Sequence, residues 1–94
     1  MPTVTIQIGN TDDKLSQVDW AAFVQAMRHE AILKNCVQIH FAGAPGNAER
    51  WQNFAFVVEC RPGQVGPLRS AVTDMRALFN QESASFTVGE TEFV

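Results

Sequence analysis

The sequence predicts an α+β domain of the split β-α-β, ferredoxin-like type, with a four-stranded antiparallel sheet and two helices on one face. Two observations lead to this fold class. Segments that alternate apolar and polar residues are separated by longer segments in which apolar residues recur at helical spacing, and together they follow the order βαββαβ. The 94 residues also match the size of one domain, which we expect to span residues 1–94.

The first half of the chain supplies one strand and one helix. Residues 3–8, TVTIQI, alternate strictly and predict a half-buried strand that ends at the following Gly-Asn pair. Ser16 begins a helix, and Asp19 stands three residues later in the pattern of a capping box. We expect this helix to run to about Lys34, with Asn35 closing it in the left-handed conformation.

The second half supplies a hairpin, a helix and a last strand. VQIHF (37–41) and NFAFVVEC (53–60) alternate and predict two strands, joined by a loop over residues 42–53 that is rich in Gly, Pro and Asn. A second apolar stripe at helical spacing starts at Pro67, a residue that suits a first helical turn. SFTVGETEFV (85–94) predicts the last strand.

Phe54 and Phe56 lie one residue apart on the third strand, so both point to the same side of the sheet. We predict that they face the helices, because the opposite register would bury the carboxylate of Glu59 without a partner. This register pairs Phe41 with Phe54, Ile39 with Phe56, and Val37 with Val58.

The alternative is that the two rings stack on bases. QNFAFVVE (52–59) and IQIGN (6–10) resemble the central-strand and first-strand motifs of the RNA-recognition module, whose strand order is the same. However, Gln52 replaces the basic residue of that motif, and Gln7 replaces the stacking aromatic. The net charge of −3 also disfavours binding to a phosphate backbone, so nucleic acid is not an expected partner.

The predicted register leaves a nearly uncharged face on the other side of the sheet. It carries Thr3, Thr5, Gln7, Gln38, His40, Ala55, Val57, Glu59 and Thr87. A solvated sheet face usually carries mixed charges, so this composition suits a covered surface, such as the interface of a two-fold homodimer. The open alternative is an ordinary solvated face rich in Thr. Trp51, in the hairpin loop, is a further candidate contact residue.

The chain also contains residues that suggest chemistry. MPTVTIQI (1–8), with WQN (51–53), resembles the tautomerase superfamily, in which a freed proline amine such as that of Pro2 acts as a general base. No arginine pair follows that would hold an acidic substrate. The adjacent Asp12 and Asp13 fit turn chemistry. A second enzyme alternative is the dimeric α+β-barrel type, with its ligand in a cleft between sheet and helices.

A metal site is not expected. Cys36 and His40 are four residues apart on one strand, which separates their Cα atoms by about 13 Å. Cys60 is predicted on the opposite face of the sheet from these two residues. Both cysteines are expected to be free thiols. The sequence therefore predicts no catalytic residue, no cofactor site and no metal site.

Four segments resemble a group of small actinobacterial and actinophage proteins that have no assigned activity. They are IQIGNTDDKLSQ (6–17), IHFAG (39–43), WQNFAF (51–56) and TVGETEFV (87–94). The resemblance implies the cytoplasm of a bacterium or of an infected host cell, and in a phage setting a host protein as a partner. The chain has no signal-peptide pattern and no apolar run long enough to span a membrane. We expect a non-enzymatic interaction module that self-associates through its sheet.

Overall fold

The computed structural model describes residues 1–10, 14–44 and 53–94, and it has the predicted α+β architecture. The elements in chain order are β1 (Pro2–Gly9), α1 (Gln17–Ala26) with a π-helical continuation (Met27–Ile32), β2 (Gln38–Gly43), β3 (Asn53–Glu59), a 3₁₀ turn (Pro62–Gln64), α2 (Val65–Leu78) and β4 (Ser85–Glu90). The four strands form one antiparallel sheet in the order β2-β3-β1-β4. This order, with two helices on one face, confirms the ferredoxin-like fold class.

The core forms between the helices and the even-numbered residues of the two central strands. β1 contributes Val4, Ile6 and Ile8, which stand opposite Val58, Phe56 and Phe54 of β3. All six are buried, together with Trp20, Phe23, Met27 and Leu68 from the helix layer. Phe56 is 0% exposed and Phe54 is 9% exposed, with ring centroids 4.9 Å apart. The inward orientation of both rings is therefore confirmed, and neither ring is available to stack on a base.

The first helix begins as predicted and ends differently. Ser16 Oγ accepts a hydrogen bond from the Asp19 backbone N–H at 3.1 Å, which satisfies one of the free donors of the first turn. From Met27 the helix widens to a π-helix, and the Leu33 N–H donates to the Arg28 carbonyl five residues earlier at 2.9 Å. The helical residues end at Ile32, two residues before the predicted end.

The predicted left-handed closure at Asn35 is wrong. The Asn35 side-chain Nδ2 donates to the Ala31 carbonyl at 2.8 Å, so the side chain satisfies a carbonyl of the last turn without a left-handed backbone. Within the described residues, Asn80, just after α2, is the only non-glycine residue with positive φ, at 58°. The left-handed cap is therefore at the end of the second helix.

A β-bulge in β2 overturns the predicted register of the hairpin. Ile39 pairs with Val58, but Phe41 pairs with Val57, so His40 is one extra residue on this strand. After the bulge the parity reverses, and Ala42 takes the inward position opposite Phe56. The predicted contact of Phe41 with Phe54 is therefore wrong, and the Phe41 side chain lies on the side away from the helices, 54% exposed.

The two other predicted pairs of the hairpin are also displaced. Ile39 stands opposite Val58 and not opposite Phe56, and Val37 precedes the strand and is exposed. At the C-terminal end, β4 stops at Glu90, and residues 91–94 are exposed and outside any strand. Pro67 lies in the first turn of α2, as predicted, although a 3₁₀ turn already precedes this helix. No described helix combines the length and apolar character that crossing a membrane requires.

Candidate functional site: the outer face of the sheet

We call the side of the sheet that points away from the helices the outer face. Its side chains form three rows that each cross the four strands in the order β2, β3, β1, β4. The first row is Gln38, Glu59, Thr3 and Gly89; the middle row is Phe41, Val57, Thr5 and Thr87; the third row is Gly43, Ala55, Gln7 and Ser85. His40, the bulged residue, lies beside the first row, because its side chain contacts Glu59.

The described part of the outer face carries almost no charge. Among its described residues, His40 and Glu59 are the two ionisable ones, and they contact each other: His40 Nε2 lies 3.5 Å from Glu59 Oε1. Both side chains are partly shielded, with 31% and 21% of their surface exposed. Neither lysine nor arginine occurs on the strands that form this face. Covering Glu59 would cost hydration of its carboxylate, and the contact with His40 already replaces part of that hydration.

The middle row is apolar at its β2 end. Phe41 and Val57 stand opposite each other, and the Phe41 ring folds over Gly43 in the third row. A Cβ atom placed on Gly43 would lie 2.8 Å from Cζ of Phe41, closer than carbon atoms normally approach. The absence of a side chain at Gly43 thus allows the ring to lie down on the sheet, so the outer face stays flat.

A depression lies at the end of the outer face, beside the Phe41 ring. Its volume is about 440 Å³, and its described lining includes Gln7, Phe41, Gly43, Asn53 and Ala55. The described lining offers amide groups and apolar surface but no titratable side chain. Ile8 and Phe54, which point toward the helices, also line it, so the depression lies at the end of the sheet and not wholly on one face.

Six of the seven predicted contact residues come together on the outer face. Thr5, Gln7, Gln38, His40, Val57 and Thr87 all lie there. Trp51 lies outside the described residues, and the part that all seven play in an interaction stays a prediction. Of the residues in the three rows, sequence reasoning missed Phe41, Gly43, Ser85 and Gly89. The bulge that turns Phe41 outward leaves no mark in the alternation of VQIHF.

Of the residues singled out for catalysis, the structure describes Pro2. Pro2 is the first residue of β1, and its carbonyl accepts a hydrogen bond from the Cys60 N–H at 3.0 Å. Asp12 and Asp13 lie outside the described residues. Within the described part of the chain, no three His, Cys, Asp or Glu side chains are grouped closely enough to hold a metal ion.

The two cysteines are placed differently from the prediction. Cys60 is buried in the core, and Cys36 packs against the same core while remaining partly exposed. The predicted location on opposite faces is therefore wrong, because the chain bends at residues 36–37 before β2 begins. Burial raises the pKa of both thiols, and the nearby Cys36 raises the pKa of Cys60 further.

Comparison with protein-family models, with curated proteins and with solved structures gives no match.

Proposed function

We propose that this protein is a non-enzymatic interaction module that self-associates through its outer face as a two-fold homodimer. One observation carries the proposal. The described part of the outer face is flat and almost free of charge, its one carboxylate, that of Glu59, contacts His40, and it exposes the ring of Phe41 in its middle row. Such a surface loses little electrostatic hydration when another surface covers it.

The distribution of charge over the rest of the molecule supports this proposal. The chain has seven basic and ten acidic residues, and of the described ones Glu59 alone lies on the outer face. The helix layer, by contrast, carries ion pairs such as Lys34 with Glu30 at 2.6 Å. Depletion of charge at the centre of a surface, together with an exposed aromatic ring, is typical of protein interfaces.

A second copy of the same face is a suitable occupant because the three rows are symmetric in character. The middle row is partly apolar, and the rows on either side carry amides and hydroxyls, namely Gln38 and Thr3 in one, Gln7 and Ser85 in the other. A two-fold axis that runs along the middle row would place Phe41 and Val57 of one copy on the same two residues of the other. Polar side chains would then meet polar side chains at both ends.

The size of the face sets the expected affinity. Four strands spaced about 4.8 Å apart and three rows separated by about 7 Å give a footprint of roughly 400 Å² on each copy. The total of roughly 800 Å² is below the standard size of stable interfaces, so we expect a dimer with a dissociation constant in the micromolar range.

Sedimentation velocity over a concentration range from about 1 to 200 μM tests the proposal. We expect the wild type to shift from monomer to dimer, and the double variant Gln38→Lys, Val57→Lys to stay monomeric, because it would bring four ammonium groups into one interface. Val18→Lys is the matched control, since Val18 is 79% exposed on α1, away from the outer face. A wild type that remains monomeric throughout, or a double variant that dimerises as the wild type does, would refute the proposal.

A host protein is the second partner to examine, because the resemblance to actinophage proteins implies an accessory protein that modulates its host. The experiment is affinity capture from actinobacterial lysate with wild type and with Trp51→Ala. We expect the wild type to retain a host protein that the variant loses, because tryptophan is enriched among the residues that anchor interfaces. Identical retention by both proteins would remove Trp51 from this role, and retention of nothing by either would refute the host interaction.

A further inference from the structure

The two cysteines lie side by side where β3 ends and β2 approaches it. The Val37 N–H donates to the Glu59 carbonyl at 2.8 Å, so the chain at residues 36–37 lies alongside the last residues of β3. The Cys60 thiol donates to the Asn35 carbonyl oxygen, with the sulfur 3.5 Å from that oxygen. Asn35 is bonded directly to Cys36, so the hydrogen bond fixes one thiol next to the peptide that carries the other.

Standard peptide geometry converts this contact into a limit on the distance between the two residues. The carbonyl oxygen of a trans peptide lies about 2.8 Å from the Cα atom of the next residue. The Cys60 sulfur is therefore at most about 6.3 Å from Cα of Cys36. A change of the Cys36 rotamer and a backbone shift of about 1–2 Å would bring the two sulfurs to the bonding distance of about 2.05 Å. Residues 33–37 form turns and bends outside any regular element, so they can absorb such a shift.

We propose that Cys36 and Cys60 form a two-thiol site that closes reversibly to an intramolecular disulfide by exchange with a low-molecular-weight disulfide. The Cys36 thiolate attacks one sulfur of the small disulfide, which releases one small thiolate and leaves a mixed disulfide on Cys36. The Cys60 thiolate then attacks the Cys36 sulfur, the protein disulfide forms, and the second small thiolate leaves. The protein is oxidised by two electrons, the small disulfide is reduced to two thiols, and those thiols take up the two protons.

The order of the two steps follows from exposure. Cys36 is partly exposed and Cys60 is buried, so the first attack on a small molecule occurs at Cys36, and Cys60 acts as the resolving thiol. Burial raises the pKa of both thiols, so they are largely protonated at neutral pH and the exchange is slow. The exchange becomes faster as the pH rises, because more of the reactive thiolate is present. The site therefore responds to sustained oxidation and not to brief exposure.

The experiment treats the folded wild type with mixtures of reduced and oxidised glutathione, followed by acid quenching and intact-mass measurement without reductant. We expect the monomeric chain to lose the mass of two hydrogens, with peptide mapping that joins Cys36 to Cys60. The melting temperature should rise by roughly 10–20 °C, because the bond closes the loop between residues 36 and 60. Dithiothreitol should reverse both changes.

Two variants distinguish this site from ordinary cysteine oxidation. In Cys60→Ala we expect the glutathione adduct to accumulate on Cys36, since no thiol resolves it, and in Cys36→Ala we expect the buried Cys60 to stay unmodified. Far-UV circular dichroism checks that each variant is folded. The same glutathione mixtures are applied to the wild type unfolded in urea. The inference is overturned if the unfolded chain forms the disulfide but the folded chain does not, whether the folded chain carries glutathione adducts or keeps both thiols free. This comparison needs no variant, so a variant that fails to fold leaves the test intact.

Discussion

Truncation of Phe41 to alanine separates the stability of the fold from its association. Phe41 is 54% exposed, and a phenylalanine side chain presents about 200 Å² when fully accessible, so about 110 Å² remains to be buried by a partner. At about 25 cal/mol per Å² this surface is worth roughly 2.7 kcal/mol per copy, of which an alanine retains a minor part. Two copies of the residue would meet in the proposed dimer and their summed loss is at most about 5 kcal/mol, so the dissociation constant should rise by at least tenfold and by up to several thousandfold.

The same substitution should change the free energy of unfolding of the monomer by only about 1 kcal/mol, because the ring contributes little to the core. Analytical ultracentrifugation gives the dissociation constant, and urea unfolding at sub-micromolar concentration gives the stability. Phe93→Ala is the matched control, since Phe93 is 83% exposed in the C-terminal segment and lies outside the sheet. If wild type and Phe41→Ala dimerise with dissociation constants within twofold of each other, the outer face is not the interface.

Two further predictions concern stability. Asn10 is buried, its Nδ2 donates to the Leu15 carbonyl at 2.9 Å, and its Oδ1 accepts from the Leu15 N–H at 3.0 Å. Asn10→Ala should therefore lower the free energy of unfolding, measured with urea, by about 2–4 kcal/mol. A cost below 1 kcal/mol would mean that water replaces both bonds. The raised pKa values of Cys36 and Cys60 should make stability fall as the pH rises above roughly 8.5, because the unfolded thiols ionise first. The fall should be shallower in Cys60→Ala, and an identical pH profile would contradict this assignment.

The alternation of apolar and polar residues was sufficient to predict most of the sheet. In β1 and β3 every inward side chain is large and apolar, so shifting either strand by one residue would have buried polar groups such as Gln7 or Glu59. This is why the orientation of Phe54 and Phe56 could be predicted from the sequence. The Ser16 cap was equally clear, since a hydroxyl that precedes an amphipathic segment satisfies a free donor of the first turn.

The features that could not be predicted depend on packing between elements. The bulge at His40 lies in an edge strand, where irregular pairing costs little, and VQIHF reads the same with or without it. The π-helical turn from Met27 keeps the apolar residues on the buried side of the helix. The spacing of apolar residues in the sequence therefore does not distinguish it from a regular α-helix. The approach of Cys36 to Cys60 also follows from the bend that connects that helix to β2, and not from the spacing of the two cysteines.

The extra residue in β2 also links strand length to the chemistry of the molecular surface. Deletion of His40 would leave Phe41 opposite Val57, but deletion of Gly43 would remove the bulge by letting residues 38–42 pair regularly with β3. Phe41 would then turn toward the helices, and Ala42 would take its outward position. A chain shortened by one residue after Phe41 would thus keep the same fold but lose the exposed ring, so the position of a deletion in this strand decides which side chain the outer face presents.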